Sequence, residues 1–466
     1  MGHRTEGRMR AALLALALGA LPLAAVAAEP ITVTVGKIKD LNLRIYGFVE
    51  SDYIADTTQG FSEEQANSLV PARSTFNGAR PNYAGLHNRS QMSVRNSRLG
   101  FELNVPKTAA GLQAQGVLEL DLMGNSSPNT APGANPGAQS ERDFFNNPAL
   151  RIRHAYASMT SGAWSAKLGQ TWSLLGWQPY YFPGEAIVQP GPGQLYRRFV
   201  QARLTHTWAF RDSYTLESAA DVAKPAQMNS GSPEYHAGLR VASTKLKGAS
   251  ISGAGTSMVG LSAALSAALL PVRTTLGDAN GAAVAFDVFV PIIPSSDGKD
   301  RSNNLVWAAE LMSGSGVGGL EYSCLTLGVP SIPAATANGI PGGGTAVDSG
   351  MAGVDNGGAL RLIRYRVFRT HLQYSLPGGK WSASTGYAQV EGRNLRDFTY
   401  YATQAPGVTP ALLAPKIQFG YASVFYDPLA WLRFAGEFNQ TRVTYIDPAN
   451  RFATNNRFQV SAFFIF

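Results

Sequence analysis

Cysteine is nearly absent from this chain of 466 residues. The only one, Cys324, cannot close an intramolecular disulfide, so no covalent staple supports the fold. Charge is sparse too, with Asp, Glu, Lys and Arg making up 15% of the residues. Long apolar runs are missing, and a mean hydropathy of -0.07 is far too polar for a bundle of membrane-spanning helices. No internal repeat recurs at a fixed period, which argues against a solenoid or a secreted β-rich adhesin built from repeats. Beyond His3 near the N-terminus, the histidines His87, His154, His206, His236 and His371 are scattered, and neither G-x-S-x-G nor HExxH occurs. An enzyme needs a nucleophile and base at facing positions, and a metal site needs clustered ligands; neither pattern is present, so no catalysis, metal or cofactor is expected. The net charge of +8 does not imply nucleic-acid binding, because the basic residues alternate along segments and form no surface stripe.

What the chain does have is glycine, 49 residues of it, and 45% hydrophobic residues distributed with period two. Its last ten residues show this best. Phe458, Val460, Ala462, Phe464 and Phe466 share one face, and Arg457, Gln459, Ser461, Phe463 and Ile465 share the other. Such an apolar strand would be an aggregation hazard at the edge of a soluble sheet. In a closed barrel surrounded by lipid its outer face meets acyl chains and its edge is paired.

At the other end, Arg4, Arg8 and Arg10 precede the apolar stretch Ala11–Ala20 and the small residues Ala25-Val-Ala-Ala28. This reads as a signal peptide over residues 1–28, cut after Ala28 or Ala27, with export across the inner membrane. Residues 29–41 are expected to be a short periplasmic leader and residues 42–466 the barrel. Alternation is clear in Leu43–Tyr53. It continues in Leu99–Val105, then in Leu112–Leu122, with a short link from Pro106 to Gly111 and a long one after Leu122. Short turns on one side and long loops on the other are the mark of an outer-membrane barrel. Further strands are expected at Leu150–Met159, Ala163–Trp172, Tyr196–Trp208, Tyr214–Val222 and Tyr235–Val241, and in the closing third at Trp381–Val390, Lys416–Tyr426 and Trp431–Tyr445. Asp427-Pro428 is expected to be a turn. The stretch Gly248–Val272 is uncharged and reads as a strand followed by a loop or short helix. Ile251–Met258, Ala283–Pro291 and Leu305–Met312 read as strands, and Gly316–Gly358 as a long external loop. The expected fold is therefore all-β, a transmembrane antiparallel barrel of about 16 strands.

One segment breaks the rhythm. Ser173–Gln194 is rich in aromatic residues and proline and carries a single charge, Glu185. It is too apolar for a freely solvated loop, and a loop folded inward to constrict the lumen fits better than an external loop at a subunit contact. The flanking strands bring Arg151, Arg153, Lys167, Arg197 and Arg203 to the inner face, with Arg198 replacing Arg197 if a bulge shifts the register. Guanidinium groups bind carboxylates through a planar fork, and a low-dielectric wall focuses their field toward anions. Glu50, Asp52, Glu102, Glu119, Glu217 and Glu437 face inward in the same register, so each Arg has an ion-pair role as its alternative.

Three stretches carry a family resemblance: Leu150-Arg-Ile-Arg-His-Ala-Tyr156, Leu168-Gly-Gln-Thr-Trp-Ser173 and Tyr196-Arg-Arg-Phe-Val-Gln-Ala-Arg203. With Asn96-Ser-Arg-Leu-Gly-Phe101 and the terminal Phe, they resemble the DcaP-like trimeric porins. The likeness covers residues 43–245 and 360–466. It implies a 16-stranded barrel, a homotrimer in the outer membrane, and passage of small anionic solutes such as dicarboxylates. It also implies an inward loop over residues 173–194, lined by Arg151, Arg153, Arg197, Arg198 and Arg203. Phe458, Val460, Phe464 and Phe466 would be read by the barrel-assembly machinery. The family's periplasmic coiled coil has no counterpart, since residues 29–41 lack heptads. A hydrophobic-solute transporter is the competing reading, but it calls for an N-terminal plug larger than this leader.

Overall fold

The computed structural model describes residues 31–35, 38–58, 87–124, 149–177, 191–195, 197–225, 230–274, 277–317, 351–398, 413–446 and 452–466. The chain opens with β1 (Ile31–Val35), β2 (Ile38–Thr58), β3 (His87–Ser93), β4 (Arg98–Val105) and β5 (Gln113–Gly124). It continues through β6 (Ala149–Ser161), β7 (Trp164–Trp172), β8 (Arg198–Phe210), β9 (Tyr214–Ala223) and β10 (Glu234–Ser252). Next come β11 (Gly255–Thr274), β12 (Gly277–Ile293), β13 (Asn304–Ser315) and a small hairpin, β14 (Ala352–Val354) with β15 (Leu360–Leu362). β16 (Arg364–Ser375), β17 (Trp381–Gly392), β18 (Lys416–Leu429), β19 (Leu432–Thr444) and β20 (Phe452–Ile465) complete it.

Each long strand pairs antiparallel with its neighbours in sequence, and β20 pairs back onto β2 to close the ring. β3 and β4 form one stave, interrupted at Val94–Ser97: β3 pairs with the second half of β2 and β4 with the first. The result is a closed antiparallel barrel of 16 strands. Closure pairs the last strand with the first and leaves the ring without a free end strand, as a hydrocarbon surround requires. At the seam, Gly47 N donates to Phe466 O at 2.9 Å and Phe466 N to Gly47 O at 3.1 Å. Glycine is needed there, because a Cβ on residue 47 would lie 2.1 Å from Arg98 O.

Alternation sorts the side chains as expected. On β2, Ile45, Val49 and Tyr53 are exposed on the outer face, whereas Glu50 and Asp52 are buried on the inner one. On β20, Phe458, Val460 and Phe464 point outward with Phe466 beyond them, while Arg457, Gln459, Ser461 and Phe463 are buried inside. Trp164, Trp208, Trp307, Trp381 and Trp431 are all exposed at the end of the barrel where the turns are short. They form one aromatic girdle, as amphipathic rings do at a headgroup layer.

Several boundaries differ from expectation. Gly248–Val272 holds no helix: its second half is β11, and the expected strand Ile251–Met258 is divided by a turn at Gly253–Ala254. The cause is chemical, since Gly253 adopts φ +45 and opens a tight hairpin turn. The Asp427-Pro428 turn is displaced to Ala430–Trp431, because Pro428 sits at a register irregularity between Tyr426 and Leu429 and costs the sheet no ladder bond there. β2 also begins at Ile38 and pairs with β1, so residues 31–41 are largely strand.

Candidate functional site

The inner wall from β4 to β10 carries a ladder of opposite charges. Its centre is a bulge on β6, where Glu119 pairs with His154 and the next residue, Leu120, pairs with Ile152. The extra residue, Arg153, breaks strict alternation, so Arg153 and His154 are both buried on the inner side. Arg153 donates through Nε to Glu119 Oε1 at 2.6 Å and through Nη1 to Asp121 Oδ2 at 2.9 Å. Arg151 forks onto the same aspartate, Nε to Oδ1 at 3.0 Å and Nη2 to Oδ2 at 2.8 Å. Tyr46 OH donates to the other oxygen of Glu119 at 3.1 Å.

The ladder continues on β8 to β10. Arg203 donates to Asp221 Oδ2 at 3.2 Å and to Trp172 O at 2.7 Å. His236 Nδ1 meets Asp221 Oδ1 at 2.5 Å. Arg197 donates to Glu234 Oε2 at 2.5 Å and Arg240 to Glu217 Oε2 at 2.6 Å. Lys167 lies between these groups with its ammonium 4.5 Å from the centre of the Tyr156 ring, and among the described residues it makes no ion pair. The cations of this wall thus exceed the carboxylates that face them.

Arg151, Arg153, Lys167, Arg197 and Arg203 therefore come together on one inner wall. Arg198 does not join them. β7 and β8 stay in unbroken register through Trp172–Arg198, so no bulge shifts it inward. It keeps the parity of outward Val200 and stacks over Trp172 at 4.8 Å. Glu185 lies outside the described residues. His154, Asp221, Glu234, His236 and Arg240 were not singled out as site residues. Their signal was period two on strands already recognised, and only the partners across the sheet were missing.

The two ends of the segment 173–194 enter the lumen. Leu174 and Trp177 are buried against Ala219 and Ala264 on the inner faces of β9 and β11. Gly176 N donates to Ser266 Oγ at 3.0 Å, and Arg240 lies over the Trp177 ring at 4.6 Å. From the returning end, Leu195 N donates to Glu310 Oε1 at 3.2 Å on β13, and Pro192 O accepts from Arg369 on β16 at 2.9 Å. A Cβ on Gly193 would touch Ala388 and Val390 of β17 at 3.4 Å. β17 stands across the ring from β7 and β8, so the segment reaches the far wall. Its bed is an apolar patch of inward residues, including Leu270, Met312, Val367 and Val390.

No family model matches this chain, and no curated protein matches it. Among solved structures it is similar to the outer membrane channel DcaP of Acinetobacter baumannii, with 16% identity and a TM-score of 0.60 over 91% of this chain and 97% of that one. Weaker similarities are to OprB of Pseudomonas putida at high pH (8% identity, TM-score 0.46, 91% and 94% covered). The trimer form of OmpT of Vibrio cholerae follows (11%, 0.46, 91% and 99%). The chain therefore has the transmembrane β-barrel fold of the DcaP channel.

Proposed function

We propose that this protein is an outer-membrane porin through which small hydrophilic solutes diffuse passively, with a preference for small carboxylates. The observation that carries this reading is the meeting of an inward segment with a cation-rich wall: Trp177 of the loop packs directly under Arg240. Such a segment narrows the water-filled path where the field is strongest, and a low-dielectric wall concentrates that field. The arginine and carboxylate pairs hold one another in fixed orientation, and the ammonium of Lys167, which has no ion-pair partner among the described residues, supplies net positive potential beside them. A carboxylate solute exchanges water for guanidinium and ammonium contacts here without leaving an uncompensated buried charge. The apolar patch under the loop is buried and so is packing, not a path for hydrophobic solutes.

In this reading residues 1–28 direct export across the inner membrane. The barrel-assembly machinery reads the outward row Phe458, Val460, Phe464 and Phe466, and the aromatic girdle lies at the periplasmic headgroups. The reading assigns the protein no chemistry. It includes a homotrimer, supported by polar outward rows on β16 to β20 that acyl chains do not solvate.

Planar-bilayer recording in a chloride gradient, then with succinate, tests the proposal. The expected reversal potential is that of an anion-selective pore, moving toward cations in Lys167→Glu. A cation-selective parent channel would overturn the preference, and a protein that never conducts would overturn the porin reading itself.

A further inference from the structure

A second element enters the lumen from the end opposite the inward loop. β10 pairs with β9 over Glu234–Ser243, and β11 pairs with β12 over Ser262–Thr274. Beyond those limits Lys247–Ser252 and Gly255–Gly260 pair only with each other. The hairpin tip has thus left both of its neighbours in the wall.

The sequence supplies the bend. Ser243–Leu246 form a bulge, with Ser243 Oγ accepting from Lys245 N at 3.3 Å and Leu246 N at 3.0 Å. Gly260 permits it, because a Cβ there would lie 2.0 Å from Ser243 O. The tip then crosses beneath the lumen. Ala249 N donates to Asn304 Oδ1 at 2.7 Å on β13. Ile251 exchanges two bonds with the Gln373 side chain of β16, both at 3.2 Å. Ala249 and Ile251 pack with Phe48, Phe425, Ala435 and Phe463, inward residues of β2, β18, β19 and β20. β20 and β2 lie across the ring from β10. At the turn, Arg433 donates to Gly255 O at 3.0 Å and to Thr256 Oγ1 at 2.7 Å. Asp427 holds that guanidinium in place through two bonds of 2.7 Å.

We infer that Lys247–Gly260 is a second constriction, separate from the inward loop, that restricts flow at the short-turn mouth and is pinned by Arg433. Six residues of strand reach about 20 Å, enough to span most of the mouth. Beyond Lys247 the tip carries no charged side chain, and Ser250 and Ser252 are among its residues, so it limits the size of the opening and leaves the sign of selectivity to the ladder above. The inference rests on the porin reading.

Its test is a variant in which Lys247–Gly260 is replaced by an Asn-Gly turn. Unit conductance is expected to rise about twofold or more, with the reversal potential unchanged in sign. Unchanged conductance would overturn the inference and leave the porin reading standing. Should that variant fail to assemble, Ser252→Cys in a Cys324→Ala background decides. A charged thiol reagent is expected to cut the current, and a current indifferent to the reagent overturns the inference. A silent parent whose deletion variant conducts supports closure by the hairpin. Silence in every variant removes the porin reading and this inference with it.

Discussion

With its side chain wholly removed from solvent, Arg153 is committed to two carboxylates at once. Arg153→Ala strands Glu119 and Asp121 with a buried charge each partner no longer balances, although Arg98 and Arg151 retain part of the compensation. We expect a loss of about 3–5 kcal/mol, seen as a lower urea midpoint for the folded, heat-modifiable band in detergent. Arg273→Ala is the control: Arg273 and Asp278 are both more than half exposed, and the expected change is within about 1 kcal/mol. A variant pair with equal midpoints would contradict this account. At this scale the sequence was informative about direction but not about partners. Arg151, Arg153, Arg197 and Arg203 sit at alternating positions, so their inward aim was legible. The bulge that brings His154 inside beside Arg153 adds a residue without any change of composition, so nothing in the chain announced it.

Among elements, the inward segment depends on one narrow point. Gly176 has φ +71, and a Cβ there would meet Leu195 Cβ at 2.7 Å, so the outgoing and returning ends of the loop touch at this residue. Gly176→Val combines an unfavourable backbone with a clash of the two stems. It should release the loop from Ser266 and Glu310, giving noisier and larger unit currents in the bilayer while the folded band persists on a gel. Currents indistinguishable from the parent would place the narrowest point elsewhere. Aromatic and proline content pointed to a segment held against a surface, and its two described ends, residues 173–177 and 191–195, are held so. The β10–β11 hairpin was misread for the opposite reason: Gly, Ala and Ser blur alternation, since a small residue satisfies either face. Gly253 and Gly255 were the available turn signal.

Taken as a whole, the barrel does not present the same outer surface all round. On β6, Leu150, Ile152, Ala155, Ala157 and Met159 face outward over a height of about 20 Å, close to the ~25 Å apolar band of such barrels. On β17 only Trp381, Ala383 and Thr385 precede Tyr387, Gln389 and Glu391, leaving an apolar height of about 10 Å at the same strand tilt. The upper rows are tied together instead: Tyr387 OH donates to Gln389 Oε1 at 2.8 Å, Gln389 to Glu391 at 2.7 Å, and Gln418 to Tyr387 OH at 2.7 Å. Gln440 and Asn456 extend the pattern to β20. A neighbouring protomer is the partner we propose for this surface. Gln389→Ala with Gln418→Ala should lower the temperature at which the oligomeric band on a gel gives way to a folded monomer. An unaffected oligomer would assign these rows to lipid headgroups. Ring closure was legible, because period two on so many segments leaves an apolar outer face that only a closed barrel in lipid accommodates. The uneven height was not, because it emerges only when outward rows of five strands are set side by side.

β1 gives the seam a further property. β20 stops where Phe466 meets Gly47, yet β2 runs on below that point, and Ile31 and Val33 pair with Leu43 and Leu41 along the remaining length. β1 therefore acts as a selvedge: among the described residues it hems a stretch of first-strand border that β20 does not cover. While the later staves are still being added, that stretch already has a local companion, and a second copy of the protein finds less bare backbone there on which to anneal wrongly.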